Sequence, residues 1–171
     1  MMIRITVLAL ILATGSAAAA PQELSGRLVA NRPAGCVEYR FLFFGIYRAE
    51  LWTDAATLPG RNFALSLVYQ RGFEREDLVS TSISEMVRMS GRPQASFGVA
   101  RAELEKAMRT VQEGDRYTAW RSRPGLVEFF HNGRATGTLT QDADLFLDIW
   151  LGPASRDPER RAKLLAGGCD D

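Results

Sequence analysis

The chain has 171 residues, 46% of them hydrophobic, with 21 Lys plus Arg against 20 Asp plus Glu. That length suits one domain with an ordinary core, and a formal net charge of +1 gives no electrostatic reason to expect nucleic acid or an anionic surface as partner. One histidine and two cysteines make no metal-ligand cluster, and neither a phosphate-cradling glycine loop nor a Gly-x-Ser-x-Gly turn occurs, so neither metal nor cofactor is expected.

The first stretch reads as a secretory signal peptide: Arg4, an apolar run from Ile5 to Leu12, then small residues from Gly15 to Ala20. Cleavage after Ala19 removes residues 1–19 and leaves a domain of residues 20–171. The apolar run is short for a membrane span, so no stable membrane insertion is expected after cleavage. Export places the protein in the periplasm or outside the cell. In that oxidising setting Cys36 and Cys169 are a candidate disulfide, provided their Cα atoms approach within about 7 Å. Two separate free thiols are the other reading.

Along the mature chain, Leu24 to Ala30 predicts a short strand. Cys36 to Thr53 is a long aromatic β-like run that Gly45 interrupts, giving two strands, the second beginning at Ile46-Tyr47, or one sharply bent strand. Phe63, Leu65, Leu67, Tyr69 and Arg71 alternate along one face of a third strand. Helical spacing follows from Glu74 to Met89, with acidic residues in its first turn, and again from Ala100 to Gln112. Asp115 to Ser122 is a further strand. Leu126 to Thr140 forms a hairpin about Asn132-Gly133, a pair that supplies the two positive φ values of a type I′ turn. Asp142 to Trp150 returns to helical period, and a last helix starts with Asp157 as N-cap and Pro158 at its first position. The order is strands, two helices, three strands, two helices. It predicts an α+β fold with one antiparallel sheet and helices on it.

Catalytic signals are sparse. His131 stands beside the Asn132-Gly133 turn, where a solvated side chain is the expected role. Tyr69 and Arg71 end an apolar strand face, so a phenol and a guanidinium at the mouth of a greasy cavity would hold a carboxylate with its tail buried. The competing reading of Arg71 is an ion pair with Glu74, Glu76 or Asp77 just downstream. Arg40 lines the same cavity or lies on an open sheet face with its stem packed down. Trp52, Trp120 and Trp150 are read as core aromatics.

Taken in order, Phe41-Leu42-Phe43-Phe44-Gly45-Ile46-Tyr47, Ala49-Glu50-Leu51-Trp52, Tyr69-Gln70-Arg71, Gly114-Asp115, Phe129-Phe130-His131-Asn132-Gly133 and Phe146-Leu147-Asp148-Ile149-Trp150-Leu151-Gly152 resemble the secreted bacterial branch of the chalcone isomerase-like family. The resemblance extends over nearly all of the mature chain. It implies a large antiparallel sheet covered on one side by helices, with a ligand cleft between them. The family holds plant enzymes that cyclise chalcones and non-catalytic relatives that bind fatty acids. The enzymes' cleft threonine falls on Leu42 here, which weakens the enzymatic reading. Tyr69 and Arg71 belong to the bacterial pattern and lead the site candidates, with Arg40 and Tyr47 behind them.

The expectation is therefore a non-enzymatic protein binding a fatty acid or similar amphiphile. An isomerase or lyase acting on an enone-like substrate, and an interaction module without a small ligand, are the alternatives. The sequence sets no oligomeric state.

Overall fold

Antiparallel pairing of consecutive segments builds the scaffold. In the computed structural model, which describes residues 20–169, six strands lie side by side in chain order in a single sheet: β1 (Gly35–Phe41), β2 (Phe44–Trp52), β3 (Phe63–Tyr69), β4 (Arg116–Arg123), β5 (Leu126–His131) and β6 (Arg134–Leu139). Helices α1 (Arg75–Ser90) and α2 (Gly98–Ala107) are inserted between β3 and β4, while α3 (Ala143–Leu151) and α4 (Pro158–Ala166) follow β6. This is the expected α+β order. The expected signal peptide, residues 1–19, lies outside the described residues.

The alternation in β3 decides what each face carries. Leu65, Leu67 and Tyr69 point to the helices and join Val79, Ile83, Met86, Leu104, Phe146 and Leu147 in the main core. Ala64 points the other way, into a smaller cluster of Leu24, Trp52, Trp120 and Phe130. The helix layer comes close at Gly137, where an added Cβ would stand 2.9 Å from that of Ala107. Glycine there lets α2 lie on β6.

Several local signals hold. Asn132 and Gly133 take φ of 49° and 81°, the two positive values that a type I′ turn needs. Asp157 caps α4 by accepting from the Arg160 backbone N–H at 2.9 Å, with Pro158 at the first helical position. Cys36 and Cys169 are joined in a disulfide with Cα atoms 4.9 Å apart, tying β1 to the segment after α4.

Three expectations require correction. Residues 24–30 do not form a strand. Gln22–Leu24 is a single 3-10 turn, Leu24 and Leu28 pack onto Trp52 and Trp120, and the amides of Val29 and Ala30 donate to the Asp54 carboxylate. That segment is held by side-chain burial and one carboxylate instead of by a ladder. Helix α2 ends at Ala107, and Met108 is already extended with ψ of 152°. Val111 is buried through backbone pairing with Phe73 instead, so its helical spacing from Leu104 is a coincidence of two different burial routes. Finally, the break between β1 and β2 falls at Leu42-Phe43, since Phe41 pairs directly with Phe44. Gly45 marks a register shift: it pairs with Arg40, and Tyr47 with Tyr39, leaving Ile46 as the extra residue. A bulge there re-aims the side chains around it.

Candidate functional site

The register of β1, β2 and β3 places Tyr39 opposite Tyr47 and Tyr47 opposite Tyr69. All three lie on the helix side, so a ladder of phenol rings crosses the sheet with centroids 5.0 and 5.8 Å apart. Beyond it Leu65, Leu67, Ala119 and Phe129 continue the floor, and Leu78, Phe146, Ile149 and Trp150 of α1 and α3 form the roof. Between them lies a cavity of about 550 Å³, within the range usual for small-molecule sites.

The polar groups of this wall divide into two kinds. Some are satisfied internally: Trp150 donates its indole N–H to the Tyr47 hydroxyl at 2.9 Å, and the Tyr117 hydroxyl donates to the Ala107 carbonyl at 3.1 Å. Tyr39 is different, because its hydroxyl is buried with no hydrogen-bond partner among the described residues. Burial raises the phenol pKa of every member of the ladder, that of Tyr47 to about 12. At physiological pH these phenols are neutral and able to donate a hydrogen bond.

Charged residues also line the cavity: Arg40, Arg156 and Arg160, together with Asp77, Glu85 and Asp157. The Arg160 guanidinium lies 5.5 Å from the centre of the Tyr39 ring, donates through Nε to the Glu38 carbonyl at 2.9 Å, and pairs with Asp157. Arg156 pairs with Glu85, and Arg40 donates through Nε and Nη2 to Glu38 at 3.1 and 2.9 Å. Burial would raise the Glu85 carboxyl, but hydrogen bonds from Arg156 and Arg88 outweigh it and hold the group below the ordinary carboxylate range. Apart from Asp77, each of these charged groups is paired.

Of the candidates read from the sequence, Tyr69, Tyr47 and Arg40 line the cavity. Arg71 does not, and this corrects its assignment. Strand β3 stops at Tyr69, the chain turns, and Arg71 is left exposed with its guanidinium 5.6 Å from the centre of the Phe73 ring. The downstream ion pair is not made either. Glu74 accepts from the Thr110 hydroxyl at 2.8 Å and Glu76 faces Arg101 at 4.0 Å. The arginines that line the cavity are Arg40, Arg156 and Arg160, the last two from a different part of the chain. Leu42 is also displaced from expectation, being 74% exposed at the hairpin tip and not a cleft residue. His131 is half-buried instead of solvated. Its ring stacks on Tyr117 with centroids 4.9 Å apart, and its Nε2 lies 3.3 Å from an Asp115 carboxylate oxygen.

Among the described residues no group of three or more His, Cys, Asp and Glu side chains is placed to hold a metal ion. The cavity lining offers hydrogen bonding, charge and apolar burial.

No family model matches the sequence, and no curated protein matches it. Among solved structures, the crystal structure of a fatty-acid binding protein from Arabidopsis thaliana aligns with a TM-score of 0.57. The alignment covers 78% of this chain and 86% of that one, at 11% sequence identity. A likeness at that identity is one of fold: six antiparallel strands and four helices in the chalcone isomerase-like α+β arrangement.

Proposed function

We propose that the protein binds a fatty acid or a similar single-chain amphiphile, without catalysis, outside the cytoplasm. The observation that carries this reading is a cavity with a mainly apolar lining and three arginines among its charged residues, a side that we read as its mouth. A hydrocarbon tail lies along Leu65, Leu67, Phe129 and Phe146, and the head group meets Arg156, Arg160 and the unpartnered Tyr39 hydroxyl. The fold shared with a fatty-acid binding protein supports the same ligand class. A module without a small ligand would fill this space with its own side chains, whereas about 550 Å³ stays open.

The arginines arrive already paired, and that sets the energetic balance. A carboxylate head must share Arg156 with Glu85 and Arg160 with Asp157, so its net gain is of the order of an exposed ion pair, roughly 1 kcal/mol. Burial of the tail, at roughly 25 cal/mol per Å², supplies most of the affinity. Selectivity then follows chain length more than head-group charge.

Mass spectrometry of organic extracts from purified protein, with titration of a fluorescent long-chain acid, tests the reading. Ala119→Phe, which places a ring in the cavity from a wall position, is expected to remove binding while the fold persists. Lipid-free protein that also fails to bind long-chain acids would overturn the proposal. Export is tested by sequencing the N-terminus of the mature protein, expected to begin at Ala20.

A further inference from the structure

Among the described residues, six large apolar side chains are conspicuously exposed, and four are consecutive: Phe41 at 66%, Leu42 at 74%, Phe43 at 94% and Phe44 at 63%. They form the tip of the β1–β2 hairpin. Nothing in the turn asks for them. Leu42 has φ of 55°, a value that Gly, Asn or Asp takes at far lower cost than leucine. A strained, exposed leucine contributes neither core packing nor turn stability, and what remains is the apolar surface it presents.

The tip adjoins the cavity mouth. Phe41 itself lines the cavity, as do Arg40 before it and Ile46 after it. We propose that the Phe41–Phe44 hairpin tip inserts into the surface of a phospholipid bilayer, docking the mouth of the cavity against the membrane from which its amphiphile enters and to which it returns. The proposal deepens the amphiphile-binding reading and rests on it for the purpose of docking.

Three observations favour a bilayer over a protein occupant. The tip is convex and narrow: three phenylalanines and a leucine at these exposures offer roughly 500 Å² of apolar surface, short of the roughly 800 Å² per partner in a stable protein interface. Its backbone suits a dry environment, because Phe41 and Phe44 are already ladder partners and only the two turn residues carry groups that hydrocarbon would leave unmet. One flank carries an unpaired cation. Arg40, exposed beside Phe41, is paired with Glu38 at 2.9 Å, whereas Arg71 is exposed with no ion pair among the described residues. It follows Gln70, whose backbone N–H donates to the Ile46 carbonyl at 2.9 Å. Such side chains reach phosphate head groups while the apolar tip lies deeper. The contact is peripheral, since no helix among the described residues is long and apolar enough to cross a membrane.

The test uses the mature chain and sedimented vesicles of phosphatidylcholine with phosphatidylglycerol. Wild type is expected to pellet with the vesicles. The double variant Leu42→Ser, Phe43→Ser is expected to lose roughly tenfold or more in partitioning, yet bind a fluorescent fatty acid within about twofold of wild type. As a second measurement, Phe43→Trp should shift its emission to the blue on vesicles and be quenched by lipids brominated on the acyl chains. The idea fails if wild type stays in the supernatant, if the double variant partitions as wild type does, or if Phe43→Trp is unmoved. It also fails if the tip instead drives concentration-dependent dimers in lipid-free sedimentation. Vesicle docking without fatty-acid binding would sink the ligand reading and leave the docking in place.

Discussion

Trp150 on α3 donates its indole N–H to the Tyr47 hydroxyl on β2 at 2.9 Å, a single bond linking the roof of the cavity to its floor. Both residues are otherwise packed among aromatics: Trp150 edge-on to Phe146 and Tyr47 against Tyr39. The bond ties the helix layer to the sheet within the cavity wall.

Tyr47→Phe keeps the ring and deletes the acceptor, leaving the indole N–H without a partner in an apolar wall. A stability loss of about 1–2 kcal/mol is expected, read as a lower denaturant midpoint at unchanged slope. Because burial raises the Tyr47 phenol to about 12, its ionisation should be missing from the alkaline ultraviolet titration until the protein begins to unfold.

Head-group recognition separates the arginine at the mouth from the one expected there. Arg156 has 72% of its side chain exposed and is paired with Glu85, so Arg156→Ala should weaken a long-chain acid by no more than about fivefold. The corresponding alcohol, lacking the charge, should be almost unaffected. Arg71→Ala should leave the affinity for both within about twofold. Calorimetric titration of the acid and the alcohol against the two variants checks all four values, and a larger loss in Arg71→Ala would return that residue to the site.

The contrast between these two arginines indicates where the sequence was readable. Short-range chemistry was legible. Asn132-Gly133 specified its turn through positive φ, Asp157-Pro158 specified the start of α4, and the period-two pattern from Phe63 to Tyr69 specified a strand and its buried face. The site is a product of register, and register is not local. Tyr39, Tyr47 and Tyr69 share a row because two pairings align them, one of them passing a bulge at Ile46. Arg160 reaches that row from a helix about 120 residues further along the chain than Tyr39. Arg71 was misplaced because the apolar alternation runs on to it while the strand stops two residues earlier. The Leu42-Phe43 turn was hidden because it contains none of the residues that usually make one.

Acid should weaken the protein partly through Glu85. Although burial acts to raise its carboxyl, Arg156 and Arg88 prevail and the folded-state pKa is lowered. A carboxyl whose pKa falls on folding contributes stability above its unfolded value, near 4.3. That contribution disappears as pH drops through the folded value. Glu85→Gln is therefore expected to cost about 1 kcal/mol at pH 7, the pairs being partly hydrated. The difference from wild type should close below about pH 4. Denaturant melts at a series of pH values give the curve, and a constant difference down to the lowest pH would show that Glu85 acts by packing alone.

The disulfide should carry a large share of stability through what it does to the unfolded chain. Cys36 and Cys169 are separated by 133 positions, so their bond closes nearly the whole mature chain into a loop. On the chain-entropy account, which grows slowly with loop length, that is worth about 4–5 kcal/mol. In the folded state the same link supports pairing that exists without it. Gly168 donates to the Ala34 carbonyl at 2.9 Å and Cys36 donates to the Gly168 carbonyl at 3.2 Å, while Leu164 is fully buried against the core. Reduction, or Cys36→Ala with Cys169→Ala, is thus expected to leave the fold and the cavity in place and lower Tm by about 10 °C. Retained binding of a fluorescent fatty acid at low temperature would go with that loss. A Tm unchanged on reduction would mean that the closing segment is held by its backbone bonds and Leu164, with the covalent link contributing little.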